Sequence, residues 1–135
     1  MHVPNLLQQR FTEALSPLTD EAGDFASMIR PTSDPRHGDY QANCAMPLSK
    51  RLGKNPREVA AEIVENLKLD DLCEPPEIAG PGFINLKLRE DFLRESLSAM
   101  LGDSRCGVDR LGDDRSIVID FSSPNVAKPM HVGHI

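Results

Sequence analysis

The sequence predicts an α+β fold, a small antiparallel sheet packed with helices, followed by the opening of a second, Rossmann-like α/β unit. Three observations carry this expectation. Apolar residues recur at helical spacing in separate stretches, with Leu7, Phe11, Leu15 and Leu18 the first of them. Residues 77–88 read as strand, Gly-rich turn, strand. Near the end, Ile117-Val118-Ile119 is an unbroken β-branched run, as expected of a strand buried on both faces in a parallel sheet.

Taken in order, residues 5 to about 16 form an amphipathic helix. Residues 19–38 read as irregular, with one short apolar stretch around Phe25, Met28 and Ile29 as a candidate strand. Gly38-Asp39-Tyr40-Gln41-Ala42-Asn43 then leads into a helix through Leu52, for which Gly53 is a suitable stop. The next helix is the best marked: Asn55 caps it, Pro56 fits its first position, Glu58 stands at N3, and Val59, Ala60, Ile63, Val64 and Leu67 form one stripe. A polar, Pro-rich stretch from Asp70 to Pro76 precedes the paired strands. Phe92, Leu93, Leu97, Met100 and Leu101 mark a last helix, with Glu90 and Asp91 favourably placed in its first turn. The expected division is residues 1–103 as one domain, 104–115 as a Gly- and Asp-rich linker, and 116–135 as the start of a second domain. A lone parallel-type strand lacks partners, so the sequence reads as part of a longer protein, with 104–135 disordered or packed non-natively in its absence.

Composition narrows the class without naming a function. With 135 residues, 39% of them hydrophobic and 27% charged, the chain is expected to be a soluble globular protein. No apolar run approaches the ~20 residues of a membrane span, and the start lacks the basic and apolar regions of a signal peptide. Cys44, Cys73 and Cys106 lie far apart with no CxxC pair, which predicts reduced thiols in a cytoplasm and no tightly bound protein metal. The net charge of −6 resides in residues 1–103 and argues against non-specific polyanion binding, while leaving room for a local surface that reads one structured RNA.

The stretch richest in chemistry is Asp120-Phe121-Ser122-Ser123-Pro124-Asn125-Val126-Ala127-Lys128-Pro129-Met130-His131-Val132-Gly133-His134. It follows a parallel-type strand, where loops face the ligand crevice. Gly133 lets a flat base or a phosphate approach the backbone. His131 and His134, three apart, share a side if a helix begins there, and with Lys128 they make a cationic, donor-rich cradle for polyphosphate. Such a cradle accelerates transfer at phosphorus by stabilising developing charge. An isolated HxGH is often only a turn or a solvent-exposed pair, and as a zinc site it would need two further ligands, none of them nearby.

The string SSPNVAKPMHVGH, after a hydrophobic strand ending in Asp120, closely resembles the HIGH region of class I aminoacyl-tRNA synthetases, specifically the arginyl family. The resemblance implies that His131 and His134 contact ATP phosphates, that Gly133 lies under the adenine, and that Lys128 compensates for a degenerate second ATP signature. It implies an arginine pocket lined by the segment from Asp120 to Asn125, Ser122 and Ser123 included, together with His134. Asn125 would hold the amino-acid backbone and Asp120 would face the guanidinium, although the family often has Glu at the latter position. The implied activity is ATP-dependent, AMP-forming ligation of L-arginine to tRNA-Arg by a cytoplasmic, monomeric enzyme, with Mg2+ arriving through ATP. The chain alone is expected to be inactive.

Gly38-Asp39-Tyr40-Gln41-Ala42-Asn43 and Ala79-Gly80-Pro81-Gly82-Phe83-Ile84-Asn85 are similar to two stretches of the family's extra N-terminal domain, which touches the tRNA D-loop. Strand alternation supports such a role: Ile84, Leu86 and Leu88 share one face, while Phe83, Asn85 and Lys87 put an aromatic, an amide and a cation on the other. The resemblance assigns a D-loop base contact to Phe83 and Asn85; the neighbouring contact falls on Gly80, where some members have Asn. Phe83 could instead lie under a helix, and Tyr40 and Gln41 could shape the sheet rather than meet RNA. Lys50, Arg51, Lys54 and Arg57 cluster at a helix–helix turn, where a solvated face is the commoner outcome. Two rivals remain: a small HxGH nucleotidyltransferase, which would carry that motif near its N-terminus, and a non-catalytic RNA-binding module, which would not need the motif.

Overall fold

A computed structural model of the chain describes residues 2–108 and Val118. The first helix, α1 (Val3–Leu15), places Pro4 in its first turn, where a missing N–H leaves no bond unmade. Its residues at four-residue intervals, Leu7, Phe11 and Leu15, are fully buried, so the period visible in the sequence is the packing face. A short helix α2 (Ala22–Ala26) adds Phe25 and Ala26 to the same core. This corrects the expected strand around Phe25. Ala22, Phe25, Ala26 and Ile29 follow a three-then-four spacing that buries one side of a helical turn, and the extended chain begins only at Ile29.

Four short strands follow: β1 (Ile29–Pro31), β2 (Tyr40–Ala42), β3 (Glu77–Ala79) and β4 (Phe83–Leu86). They form one antiparallel sheet in the order β1-β2-β4-β3, so that β2 lies beside a strand more than forty positions later. Between β2 and β3 stand α3 (Ala45–Leu52) and α4 (Pro56–Asn66). Gly53 ends α3 in the left-handed conformation at φ 65°. Asn55 caps α4 by accepting a hydrogen bond from the Arg57 N–H at 2.9 Å, and Val59, Ala60 and Ile63 are buried, as the stripe predicts.

Register makes the sheet two-sided. Ile29 pairs with Ala42, Ala42 with Ile84, and Ile84 with Ile78. This row meets α1, α2, α3 and α4 in one hydrophobic core. Two glycines make close approaches that any side chain would block. At Gly38 (φ 80°) a Cβ would lie 2.5 Å from the Leu86 carbonyl oxygen, and at Gly82 (φ 128°) it would lie 2.9 Å from that of Pro56. Gly82 thereby seats the β3–β4 turn against the start of α4. Beyond β4, α5 (Glu90–Gly102) forms where its apolar spacing predicts, but it buries no residue and reaches the core only through half-buried Phe92. Asp103 then turns the chain, accepting from the N–H groups of Arg105 and Gly107, which holds its carboxyl below the usual range. The expected second domain and most of the linker lie outside the described residues.

Candidate nucleic-acid interface

The face of the sheet away from the helices carries a polar row. Arg30 pairs with Gln41, Gln41 with Asn85, and Asn85 with Glu77, so one side chain from each strand stands in line across all four. At its centre the Gln41 Nε2 donates to Asn85 Oδ1 at 2.7 Å. Asn85 is 6% exposed and, with Ser49, is one of the two buried polar residues among those described. A bonded amide pair at such depth orients both groups and leaves their remaining polar atoms with defined directions.

Two clefts flank the pair. One, of about 300 Å³, is lined in part by His37, Glu74, Glu77, Asn85 and Lys87. The other, of about 220 Å³, is lined in part by Arg30, Thr32, His37, Gln41 and Asn43. Asn43 Oδ1 in the second is buried and makes no hydrogen bond among the described residues. Arg30 is held by the carbonyl oxygens of Ser27 and Ile29, which accept from its guanidinium. The β1–β2 connection is anchored in turn: the Asp39 N–H donates to the Leu86 carbonyl at 2.8 Å, and Asp39 Oδ2 accepts from the Leu88 N–H at 2.8 Å. Gly38 and Asp39 of the expected motif therefore fix the loop bearing His37 to β4.

The predicted RNA-facing residues separate by parity. Phe83, Gln41, Asn85 and Lys87 stand on the open side. Phe83 is half-buried, is not among the hydrophobic core residues, and its ring lies near Gly80. Tyr40 does not join them. It pairs with Leu86 and packs against the core, because consecutive strand residues face opposite ways. Lys87 is ion-paired with Glu74 at 2.9 Å, which raises its pKa. Arg30, His37, Asn43 and Glu77 are part of the same face and were not singled out by sequence; alternation along β1 would have found Arg30 had its register been known. In the basic cluster, Arg51 pairs with Glu21 and stands 5.1 Å from the centre of the Phe25 ring, and Lys54 pairs with Glu62 at 2.6 Å. Much of that cluster is therefore neutralised at the surface. Among the described residues no group of three or more His, Cys, Asp or Glu could hold a metal ion, and no helix is long and apolar enough to cross a membrane. Asp120, Ser122, Ser123, Asn125, Lys128, His131, Gly133 and His134 lie outside the described residues.

A four-stranded sheet covered by helices on one side, with an organised polar row on the other, defines a one-sided α+β module. Residues 5–88 match the family model of the arginyl-tRNA synthetase N-terminal domain, and residues 96–135 match that of the class I (R) tRNA synthetase catalytic domain. The chain belongs to the arginyl-tRNA synthetase N-terminal domain family. It is 61% identical over 135 residues to an arginine–tRNA ligase of Rhodopirellula baltica, covering all of this chain and 20% of the relative. A second arginine–tRNA ligase, from Crocosphaera subtropica, is 48% identical over 130 residues, covering 96% of the chain and 22% of the relative. The chain thus spans about a fifth of the length of these curated relatives. The arginyl-tRNA synthetases of Plasmodium falciparum (TM-score 0.62, 23% identity, 98% of this chain and 25% of that one) and Thermus thermophilus (TM-score 0.57, 24% identity, 98% and 21%) share the fold.

Proposed function

We propose that the chain is the N-terminal part of an arginine–tRNA ligase, in which residues 1–103 recognise the tRNA D-loop and residues 116–135 open the ATP- and arginine-binding domain. The observation that carries the RNA reading is the Gln41–Asn85 pair set beside Phe83 on the sheet face that no helix among the described residues covers. An aromatic edge can stack a splayed base, while a fixed amide pair presents donors and acceptors to its edge. Lys87 and Arg30 border that surface and are suited to phosphate.

In the complete reaction, a carboxylate oxygen of arginine attacks the α-phosphorus of ATP and the bond to pyrophosphate breaks. A 3′-terminal tRNA hydroxyl then takes the arginyl group and releases AMP. His131, His134 and Lys128 serve the phosphates and Gly133 the adenine. Asp120, Ser122, Ser123, Asn125 and His134 serve arginine. Mg2+ enters with ATP, and the enzyme works as a cytoplasmic monomer. The identity with arginine–tRNA ligases through residue 135 supports this over a small nucleotidyltransferase.

Titration of the chain with tRNA-Arg, for wild type and Phe83→Ala at two salt concentrations, tests the RNA face. Loss of a base stack is expected to weaken binding by roughly 1–3 kcal/mol while leaving the salt dependence nearly unchanged. Equal affinities would remove Phe83 from the interface.

A further inference from the structure

The helix α5 carries an apolar surface that its own domain does not use. Leu93, Leu97 and Leu101, at intervals of four, form one ridge, with Met100 beside it. They are 46%, 57%, 80% and 38% exposed respectively. Asp91, Glu95 and Ser98 occupy the opposite side of the helix and Arg94 flanks Leu101, so the ridge has a polar border, the arrangement of a surface meant to be covered. Phe92, Ser96, Ala99 and Met100 line a shallow cleft of about 410 Å³ along its flank.

The two family matches meet on this helix. The N-terminal domain match ends at residue 88, before α5 begins, and the catalytic-domain match starts at residue 96, inside it. The first turn of α5 thus follows the recognition domain, while the turns bearing Leu97, Met100 and Leu101 belong with the catalytic domain. Most of the length of the curated relatives lies beyond the part this chain matches.

We propose that the Leu93–Leu97–Leu101 ridge with Met100 is an intramolecular docking surface whose occupant is the body of the class I catalytic domain. Packed there, α5 is a rigid strut rather than a tether. It fixes the angle between the RNA-facing sheet and the site of aminoacylation, so that a tRNA held at its D-loop presents its 3′ end in one place. The proposal rests on the family assignment but not on which residues touch RNA.

The test compares the 135-residue chain with the full-length protein in which this sequence continues into a complete catalytic domain, each as wild type and as Leu97→Ser/Leu101→Ser. Amide hydrogen exchange across residues 93–101 is expected to slow at least tenfold in the full-length wild type relative to the short chain, and to return toward the short-chain rate in the variant. Arginylation kcat/KM is expected to fall tenfold or more in that variant, while tRNA affinity and melting temperature of the short chain stay unchanged because its ridge is exposed. Equal exchange in both wild-type proteins would overturn the proposal. So would a full-length dimer that the substitutions dissociate, since the occupant would then be a second copy. Absence of arginylation in the full-length wild type would sink the ligase reading while leaving the exchange comparison decisive for the ridge.

Discussion

The two faces of the sheet are made from alternate residues of the same strands, yet they obey different rules. Toward the helices, Ile29, Ala42, Ile84 and Leu86 are at most 4% exposed and belong to the hydrophobic core. Away from the helices, Arg30, Gln41, Asn85 and Glu77 form a row held by a single side-chain hydrogen bond and edged by charges. The first face is non-directional and tolerates any well-filled arrangement of about the right volume. The second depends on where individual donors and acceptors point. Stability therefore resides mainly on one face and the proposed RNA recognition on the other, and substitutions one position apart should separate the two properties.

The largest effect expected from this contrast is at Ile84, which is fully buried between β2, β3 and α4. Ile84→Ala should cost about 2–5 kcal/mol in urea unfolding of the chain. Phe83→Ala, its neighbour on the open face, should cost less than about 1 kcal/mol in the same assay while carrying the loss in RNA affinity. Similar unfolding costs at the two positions would collapse the distinction. Thiols report the same asymmetry chemically. Burial pushes Cys44 and Cys73 up to about 11, whereas Cys106 is exposed. At pH 8 a thiol reagent should modify exposed Cys106 well before either buried cysteine, because burial both shields those two thiols and holds them protonated. Three equal rates in the folded chain, followed by mass spectrometry, would contradict the core described.

How much of this was legible in the sequence depends on distance along the chain. The helix α4 could be read almost completely, because Asn55, Pro56, Gly53 and the Val59-Ala60-Ile63 stripe are local signals that the tertiary structure reinforces. The alternation of Phe83 through Leu88 was equally local. Phe25 misled because four apolar positions in a short segment fit either a strand or one helical turn, and Gly23 and Asp24 weaken the helical reading. Tyr40 and Gln41, taken together in the sequence, face opposite sides of the sheet once β2 forms, and only Gln41 stands on the polar row. Arg30 and His37 were invisible for another reason: β1 is three residues long and ends in Pro31, and its register against β2 is a long-range property. The depth of Asn85 likewise comes from Gln41, 44 positions earlier. In the HxGH segment, resemblance supplied roles that spacing alone left open.

Gly38 tests whether the two faces are mechanically joined. Its positive φ and contact with the Leu86 carbonyl lock the His37 loop onto a core strand. Gly38→Ala should cost roughly 1–3 kcal/mol, from strain at that backbone position. It should also weaken RNA binding in the population that remains folded, because Asp39 loses its seat on β4. A variant as stable as wild type by thermal unfolding would mean that the loop can move without disturbing the sheet.

The smallest expected effect on folding is at Glu74, and it sharpens the comparison most. Glu74 and Lys87 are both largely exposed, so solvent screens their pair and it adds little to stability. What Glu74 controls instead is whether the Lys87 charge is available on the open face. Glu74→Gln should leave unfolding within about 0.5 kcal/mol of wild type yet tighten tRNA binding at low salt, because a cation now freed can contact phosphate. If it does, the slope of log affinity against log salt should steepen by roughly one. Lys87→Gln should show a weaker effect in the opposite direction, since its charge is already partly cancelled in the wild type. Indifference of both affinity and slope to Glu74→Gln would place the phosphate backbone elsewhere, nearer Arg30 and His37, and would shift the RNA-reading surface toward the β1 side of the polar row.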